Sequence, residues 1–499
     1  MKVQRVAIFL LACAAVCQAA ALHEEVLQCN PSSPHLFKFL GHNIINLVDG
    51  NVGSFENFCF QQNKVSMKWK SSTQLEVTID SSQKRSLLCS DSYFVTSLLD
   101  SKLESKFFPG KSTHVFNVNH PEDVSYIKNN GLTVVPLCDK LRNLIPDVLD
   151  TVVMFADKFG NIFPKWFLDL NRRKMYGRLE ELTGVKSVKR NVKVQPTMDW
   201  IYKNVRSGDV FCEYGGDETA VLIVFGTGGV CNHVGMFLWD DQNNLWMVES
   251  NPPTVRKTLA SVRLPPVFTS RGDNMNILML SDESRAKFDV QKAWASFNKY
   301  NGVNYGWDNI VFSFWDTPES SFTQLANAEI LLTLVAFLQK IPPTAQFASQ
   351  VINEGLNHRL GTSGLSFEQL VGVMADRNIA IHDLGTIPED PNWTYGADKG
   401  PRYICSALVT RLLLDAGVFG GLTVLPHEHT PNDVYNLGIY KTSGLPLECQ
   451  VNDPYLPYCL ISGDRALLPF KYYNTVKPYN HMNEQCPSIA PEYFRPPKC

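Results

Sequence analysis

Residues 403–409, Tyr-Ile-Cys-Ser-Ala-Leu-Val, open the segment around which the chain is organised. Apolar side chains recur from there with helical spacing, which predicts a helix that buries one face. These positions are Leu408, Val409, Leu412, Leu413 and Ala416. Pro401 and Gly417 bracket the predicted helix. Cys405 then falls in the first turn, where unpaired backbone N–H groups favour an anion, so its thiol holds more thiolate, the nucleophilic form.

The composition of the 499 residues is that of a globular protein, with 44% hydrophobic and 19% charged residues. The length predicts two or three domains rather than one. The formal net charge of −3 argues against binding to nucleic acid or to an anionic membrane through overall charge. We therefore expect a globular protein with no nucleic-acid partner.

The first 21 residues have the pattern of a secretory signal peptide. Lys2 and Arg5 precede an apolar run over 6–16, and small residues follow at 19–21. An uncleaved anchor is the alternative, but this run is too short to span a bilayer comfortably, as is the later run at 330–338. We expect no stable membrane insertion. The expected locations are outside the cell or the lumen of a lysosome or endosome.

The cysteine count favours one free thiol. The sequence has thirteen cysteines, and Cys13 and Cys17 lie in the predicted signal peptide, so eleven remain. An odd number in an oxidising compartment indicates a thiol kept free. If that thiol is Cys405, ten cysteines are left for five disulfides of unknown connectivity. Cys212 is a candidate partner for Cys231.

The N-terminal part is predicted to be an accessory domain. Residues 22–170 contain alternating segments typical of strands, such as 65–69 and 75–79, and end in a helical pattern from about 140. Residues 171–196 follow as a basic linker, with eight Lys or Arg between 172 and 193. A solvated linker is the first interpretation. The alternative is a proteolytic site at Lys189-Arg190.

The larger domain is predicted over residues 197–445. Segments 233–239 and 245–249 flank Asp-Asp-Gln-Asn-Asn, which indicates a hairpin. Residues 316–398 are predicted to be a helical insertion, in which Ser366 begins a helix with a capping box. Asn392, in Asn-Trp-Thr, is a candidate glycosylation site. A Cys- and Pro-rich tail over 446–499 is expected to be attached to the body by disulfides.

Three residues together have the chemistry of a thiol hydrolase, which needs a nucleophile, a base, and a group that orients the base. His233 begins one strand of the predicted hairpin and Glu249 lies on the other. Cross-strand neighbours can pair, and a carboxylate beside an imidazole orients it and stabilises its charged form. If the helix of Cys405 packs with its N-terminus at the same end, all three roles are filled.

The ordered set of motifs resembles the circularly permuted branch of the NlpC-type papain-like hydrolases, most of all its YiiX-like group. The motifs are GDV at 208–210, NHVGMF at 232–237, VES at 248–250, YNGVNYGWD at 300–308 and YICSALV at 403–409. The resemblance covers roughly residues 200–440. It implies a permuted papain-like domain within an α+β protein, with the nucleophile last in the chain.

The resemblance also implies roles for individual residues. Cys405 matches the nucleophile, His233 the base, and Glu249 the carboxylate that orients the base. Tyr305 matches a tyrosine beside the thiol, whose hydroxyl can donate to an oxyanion with the Cys405 backbone N–H. The sequence at 430–433, Thr-Pro-Asn-Asp, is similar to a motif that closes these domains.

Each of these residues also has a purely structural interpretation. A strand histidine, a hairpin carboxylate, a buried cysteine and a buried tyrosine are all common without any catalytic role. Two histidines at 427 and 429 lack further ligands in sequence reach. Glycines at 226–229 lack the Lys-Ser/Thr of a phosphate loop. We expect no metal and no cofactor.

The sequence therefore predicts an exported thiol hydrolase that cleaves amide bonds of a peptide or a peptidoglycan fragment through an acyl-enzyme. A lipid-directed acyltransferase or esterase on the same triad is one alternative, distinguished by a deep apolar channel under the insertion. A non-catalytic binding protein is another, in which Cys405 is disulfide-bonded or His233 faces away. The oligomeric state is left open.

Overall fold

A computed structural model gives the structure of the protein. It describes residues 45–86, 89–137, 175–177, 180, 186–194, 196–215, 223, 230–269, 274–309, 353–381, 402–421, 424 and 426–468. These residues form helices and antiparallel sheets, as the predicted α+β class requires. They divide into two compact units, the first within 45–137 and 366–381, and the second within 175–309, 353–365 and 402–468.

The first unit contains two four-stranded antiparallel sheets. Their strands are β1 (Ile45–Leu47), β2 (Val52–Phe55), β3 (Phe60–Ser71), β4 (Gln74–Lys84), β5 (Asp91–Thr96), β6 (Ser101–Lys106), β7 (Gly110–Asn117) and β8 (Leu132–Leu137). The strand orders are β1-β8-β5-β6 and β2-β3-β4-β7. Residues of both sheets share one apolar core, which includes Leu75, Ile79, Tyr93 and Val134. This agrees with the β-rich pattern of the N-terminal sequence.

Part of the predicted helical insertion belongs to this first unit. Helix α7 (Phe367–Arg377) packs against α1 (Pro121–Asn130). Ser366 and Gln369 form the capping box that the sequence predicted. We assigned 316–398 to the larger domain, yet 366–381 joins the N-terminal unit, because buried Leu370 and Met374 face a partner distant in sequence. The rest of 316–398, apart from 353–365, lies outside the described residues.

The second unit is built on a six-stranded antiparallel sheet. Its strands are β10 (Val210–Tyr214), β11 (His233–Trp239), β12 (Leu245–Asn251), β13 (Thr254–Leu259), β14 (Asn274–Leu278) and β15 (Cys459–Leu460), in the order β13-β12-β11-β10-β14-β15. The predicted hairpin is present, with β11 and β12 joined by the turn at 240–244. Apolar residues of the sheet, such as Phe211, Phe237 and Met247, are buried in one core.

Eight helices of this unit lie within the described residues. They are α2 (Met198–Asn204), α3 (Ala260–Thr269), α4 (Asp282–Lys287), α5 (Val290–Tyr300), α6 (Glu354–Arg359), α8 (Cys405–Asp415), α9 (Pro431–Asn436) and α10 (Leu447–Asn452). Helix α8 packs against β11 and β12, and also against α5. Leu408, Val409, Leu412 and Leu413 are fully buried, so the predicted buried face of this helix is confirmed.

The predicted basic linker is partly a strand. Residues 186–189 form β9 (Lys186–Lys189), which pairs with β16 (Arg465–Leu468). Arg190 is 8% exposed and binds the Asp453 carboxylate at 2.7 Å. Its other N–H groups donate to the backbone oxygens of Leu460, Ser462 and Gly463. A solvated linker at these residues was therefore the wrong interpretation, because the charge is paired inside the fold rather than hydrated.

The described part of the C-terminal tail, 446–468, also belongs to the second unit. Strands β15 and β16 attach it to β14 and β9 through the sheet ladders. We expected disulfides to attach the tail to the body. The Cys449–Cys459 disulfide instead closes a loop within the tail. Residues 469–499 lie outside the described residues, as does the predicted signal peptide at 1–21.

Three disulfides are present among the described cysteines, and they are compatible with an exported protein. They join Cys59 to Cys89, Cys212 to Cys231 and Cys449 to Cys459. The Cys212–Cys231 pair is the one considered from the sequence. Within the described part of the chain, no helix has the length and apolar character needed to cross a membrane.

Candidate active site

The thiol of Cys405 lies at the first position of helix α8. Residue Ile404 occupies the N-cap and has no side-chain atom that accepts a hydrogen bond, whereas Ser, Thr or Asp caps five other described helices. The first N–H groups of α8 therefore have no side-chain cap, and the positive end of the helix dipole favours a negatively charged oxygen or a thiolate there. Cys405 is buried, at 2% exposure, and is the free cysteine of the described chain.

The imidazole of His233 is held by Glu249 across the hairpin. Its Nε2 lies 2.7 Å from Glu249 Oε2. The register pairs Met236 with Val248, so Glu249 falls opposite residue 235, one diagonal step from His233. Residue 235 is glycine because a Cβ there would clash with the Phe211 ring and lie 2.7 Å from the Val248 carbonyl oxygen. The predicted cross-strand neighbours are thus in contact.

The Cys405 side chain lies near enough to the same imidazole to interact with it and raise its pKa. Since Glu249 occupies Nε2, Nδ1 is the ring nitrogen that remains for the thiol. Burial alone lowers the pKa of His233, but its interactions with Cys405 and Glu249, with the negative charges of both, hold that pKa well above 6.5. The three side chains selected from the sequence are therefore contiguous, in the order thiol, imidazole, carboxylate.

Glu249 remains ionised although it is buried. Burial raises the pKa of this carboxyl, but the hydrogen bond and charge of His233, followed by the charges of Arg263 and Arg256, lower it to about 2. Arg256 lies on β13 directly opposite Glu249, with its Nε 3.4 Å from Oε1. A carboxylate that keeps its charge can hold the imidazole in one tautomer and stabilise the imidazolium form.

Glu213 is a second carboxylate beside His233 that sequence reasoning missed. The two residues are directly paired across β10 and β11. Glu213 binds Arg263 of helix α3 at 2.6 Å. Burial raises the pKa of Glu213, although the charges of His233 and Arg263 oppose this. The pairing follows from the β10–β11 register and from no local pattern in the sequence.

Tyr305 lies beside the segment that leads into Cys405. Its backbone forms a parallel bridge with Tyr403, and Gly306 N donates to the Tyr403 oxygen at 3.0 Å. The Tyr305 ring is 5% exposed and packs edge-on against Trp307. A Cβ on Gly306 would lie 3.0 Å from the Ile404 nitrogen, so glycine permits this approach. The structure therefore brings Tyr305 to the start of α8, and its part in chemistry remains a prediction.

Contacts of residues 230 and 231 hold the N-terminal end of the strand that carries His233. The Cys212–Cys231 disulfide fixes residue 231 to β10. The 430–433 motif forms the start of α9, where Thr430 and Asp433 make a capping box, and Asn432 Oδ1 accepts from Val230 N at 3.3 Å. The Asp of the GDV motif, Asp209, is fully buried and accepts from Arg206 N and Leu280 N. These motif residues position the site without touching the thiol.

Three other sets of residues complete the account of histidines, candidate metal ligands and the glycosylation sequence. His427 stacks on Tyr403, with ring centroids 5.2 Å apart. Asn392 lies outside the described residues. Among the described residues, the one group with the spacing of metal ligands is His120, Glu122 and Glu368, in the first unit. His120 Nδ1 lies 3.1 Å from Glu368 Oε1, a hydrogen bond that accounts for their closeness without an ion.

The geometry of the second unit suits nucleophilic catalysis. The imidazole can take the thiol proton, the carboxylate can stabilise the resulting imidazolium, and the start of α8 offers N–H groups to a developing oxyanion. A scan against protein-family models, a search of curated proteins and a search of solved structures found no match to this chain.

Proposed function

We propose that this protein is a thiol hydrolase that cleaves amide bonds through an acyl-enzyme on Cys405. The observation that carries the proposal is that Cys405, His233 and Glu249 lie together, with a 2.7 Å hydrogen bond between His233 and Glu249 and the thiol at the start of a helix. Perturbed titratable groups in one cluster favour a functional site.

Acylation begins when His233 takes the proton of the Cys405 thiol. The thiolate attacks the carbonyl carbon, and the oxygen of the tetrahedral intermediate accepts from the Cys405 backbone N–H and the Tyr305 hydroxyl. The imidazolium then gives its proton to the leaving amine as the C–N bond breaks, which leaves a thioester on Cys405. Glu249 keeps the imidazole aligned through both proton transfers.

Deacylation repeats the sequence with water as the nucleophile. His233 takes a proton from water as the water oxygen attacks the thioester carbonyl carbon. The C–S bond then breaks, the carboxylic acid leaves, and the proton on the imidazolium returns to the Cys405 sulfur. Apart from the substrate and this water, no group outside the chain is needed to balance these steps.

The order of the site residues supports a permuted papain-like domain. Base and carboxylate come first, on β11 and β12, and the nucleophile follows at the start of α8. This is the order of the YiiX-like group, in which residues 208–210 and 430–433 also have counterparts. The resemblance, the contacts at His233 and the packing of α8 on β11 and β12 all point to the same arrangement.

Two observations favour a hydrolase over a non-catalytic binding protein. That alternative requires Cys405 in a disulfide or His233 turned away from it, whereas Cys405 is free and lies near enough to His233 to interact with it. The disulfides are compatible with an oxidising compartment, such as the outside of the cell or a lysosome-like lumen. The proposed substrates are amides of peptides or peptidoglycan fragments in such a compartment. A lipid-directed enzyme would have a deep apolar channel under the insertion at 316–398, and most of those residues lie outside the described ranges.

The test is a substrate panel on the purified full chain with its disulfides intact. The panel contains fluorogenic peptide amides, peptidoglycan fragments, acyl esters and phospholipids, with trapped acyl-enzyme read by intact mass. Cys405→Ala should lower turnover by about 10³-fold or more. Thr410→Val is the matched control, because this buried hydroxyl on the same helix has no hydrogen-bond partner among the described residues.

Each outcome of the panel has a defined meaning. Amide turnover that depends on Cys405 supports the proposal. Turnover of esters or lipids alone, again dependent on Cys405, would transfer the assignment to the lipid-directed alternative. Activity that survives Cys405→Ala, or no turnover and no acyl-enzyme with any class, would contradict the hydrolase.

A further inference from the structure

Two adjacent phenylalanines are exposed at one corner of the first unit. Phe107 and Phe108 lie between β6 and β7, at 53% and 79% exposure, and Pro109 beside them is exposed as well. A single exposed apolar residue is ordinary, but two neighbouring aromatic rings on one loop tip form a patch that water solvates poorly. We call residues 107–109 the aromatic corner.

The aromatic corner is held in a defined shape. It connects β6, an edge strand of one sheet, to β7, an edge strand of the other. Lys84 Nζ donates to the Phe107 oxygen at 2.6 Å, and Lys106 Nζ donates to the Gly110 and Ile79 oxygens at 2.6 and 2.9 Å. Because these bonds fix the loop backbone at both ends, the rings are presented to solvent by a braced loop.

Cationic side chains outnumber carboxylates around the aromatic corner. The sequence from 101 to 114 contains three lysines and one acidic residue, Glu104, and Lys84 and Arg85 lie at the adjoining end of β4. Glu104 pairs with Lys102, Glu56 pairs with Arg85, and Lys106 is buried. Lys111 is exposed and lies opposite Asp80 in the β4–β7 register, and no ion pair joins it to another described residue. The chain as a whole has a net charge of −3, so any attraction to an anion here has to be local.

We propose that the aromatic corner is an interfacial membrane-binding loop that inserts Phe107 and Phe108 among the headgroups of an anionic lipid bilayer. Aromatic rings at the loop tip can pack against acyl chains at the membrane interface, and the lysines around them can bind the anionic phosphates of the headgroups. Peripheral contact of this kind needs no spanning helix. The proposal goes beyond the proposed hydrolase and does not depend on it.

The test is sedimentation of the full chain with large unilamellar vesicles, made of phosphatidylcholine alone or with 30% phosphatidylserine. A Cys405→Ala background prevents any hydrolysis of the lipid. Phe107→Ser with Phe108→Ser should lower the partition coefficient on anionic vesicles by about tenfold or more. Lys111→Ala should lower it by about fivefold, and 0.5 M NaCl should do so as well.

Leu447→Ser provides the matched control, because Leu447 is 71% exposed in the second unit and should leave the partition coefficient unchanged within about twofold. Thermal midpoints of all variants should agree with that of the Cys405→Ala parent, since the side chains of Phe107, Phe108, Lys111 and Leu447 are all exposed. Soluble glycerophosphoserine is added in a separate arm. Competition by it, with the phenylalanine variant binding normally, would indicate a headgroup or phosphate site and overturn the proposal.

Three further results would also overturn it. One is absence of binding to anionic vesicles by the parent. Another is equal binding by the parent and the phenylalanine variant. A third is concentration-dependent self-association that the phenylalanine variant abolishes, without vesicle binding, which would assign the corner to contact between copies of this chain.

Discussion

At the scale of single residues, the charge on His233 is controlled from two sides. Glu249 contacts the ring at 2.7 Å, and Glu213 lies opposite on the neighbouring strand. Both carboxylates are near Arg263, which limits the net negative charge around the imidazole. A raised pKa of His233 follows, and an imidazolium that persists to high pH keeps the thiol proton available for the leaving group.

Replacing Glu249 with glutamine should lower the pKa of His233. The change removes a negative charge that stabilises the imidazolium, so the proton is lost at lower pH. The measurement is an NMR titration of ¹³C-labelled histidine rings, with the His233 signal assigned from its absence in His233→Ala. Turnover should fall by about 10²- to 10⁴-fold in the same variant.

Glu213→Gln is the matched control for this prediction. It replaces the carboxyl on the paired strand but leaves the hydrogen bond to His233 Nε2 in place. The pKa of His233 should therefore fall less than in Glu249→Gln. Equal shifts in the two variants, or none in either, would show that the 2.7 Å contact does not set the charge of the ring.

The residues of the candidate site differ in how far the sequence reveals them. Cys405, His233 and Glu249 are each marked by a local pattern, a helix start or the two arms of a hairpin, and the structure brings them together. Glu213 and Arg263 carry no such pattern. They become neighbours of the imidazole only through the β10–β11 register and the packing of α3, which are tertiary properties.

At the scale of elements, local signals predicted the boundaries well. The capping box at Ser366 and the turn at 240–244 both lie at element boundaries. Helix α8 has Ile404 at its N-cap and, like α1, α6 and α10, has no side-chain cap. Its first N–H groups are therefore not bound by a capping side chain, which would contribute about 1 kcal/mol of stability.

The run at 172–193 shows where composition misleads. Its lysines and arginines are typical of a solvated linker, yet Arg190 has all five N–H donors satisfied, by Asp453 and by three backbone oxygens. The partners lie more than 250 positions away, on segments that no local pattern connects to it. A protease that accepts Arg in its pocket cannot reach this side chain in the folded protein.

Arg190→Ala should therefore destabilise the second unit strongly. Loss of one partner of a buried ion pair leaves the Asp453 carboxylate uncompensated, and this costs about 3–5 kcal/mol of the free energy of unfolding. Urea unfolding with disulfides intact, followed by tryptophan fluorescence, measures the change. Lys189→Ala, at the adjacent exposed position, should stay within about 0.5 kcal/mol.

If Arg190→Ala and Lys189→Ala unfold at the same urea concentration, the buried ion pair does not contribute as argued. Limited trypsin digestion gives an independent check. Cleavage after Arg190 should be absent from the native parent and appear in conditions that unfold the second unit. Rapid cleavage there in the native parent would restore the alternative of a processing site.

At the scale of the whole molecule, the α+β class and the β-rich N-terminal unit could be predicted from periodicity and motif order. The assignment of 366–381 could not. Helix α7 is amphipathic in either unit, and only its contact with α1, far away in sequence, decides where it belongs. The tail at 446–468 has the same explanation, since its strands complete sheets begun by β14 and β9.

The proposed mechanism depends on a thiolate–imidazolium pair between Cys405 and His233. The rate of iodoacetamide labelling of native protein across pH 4 to 8 tests for this pair. Peptide mapping by mass spectrometry locates the label, with His233→Ala run beside the parent and Thr410→Val as the control for helix packing. We expect fast labelling at Cys405 well below pH 8, a clear slowing in His233→Ala, and no change in Thr410→Val. No labelling of native Cys405, or the same slow rise with pH in the parent and His233→Ala, would contradict the pair and leave the non-catalytic binding protein as the better description.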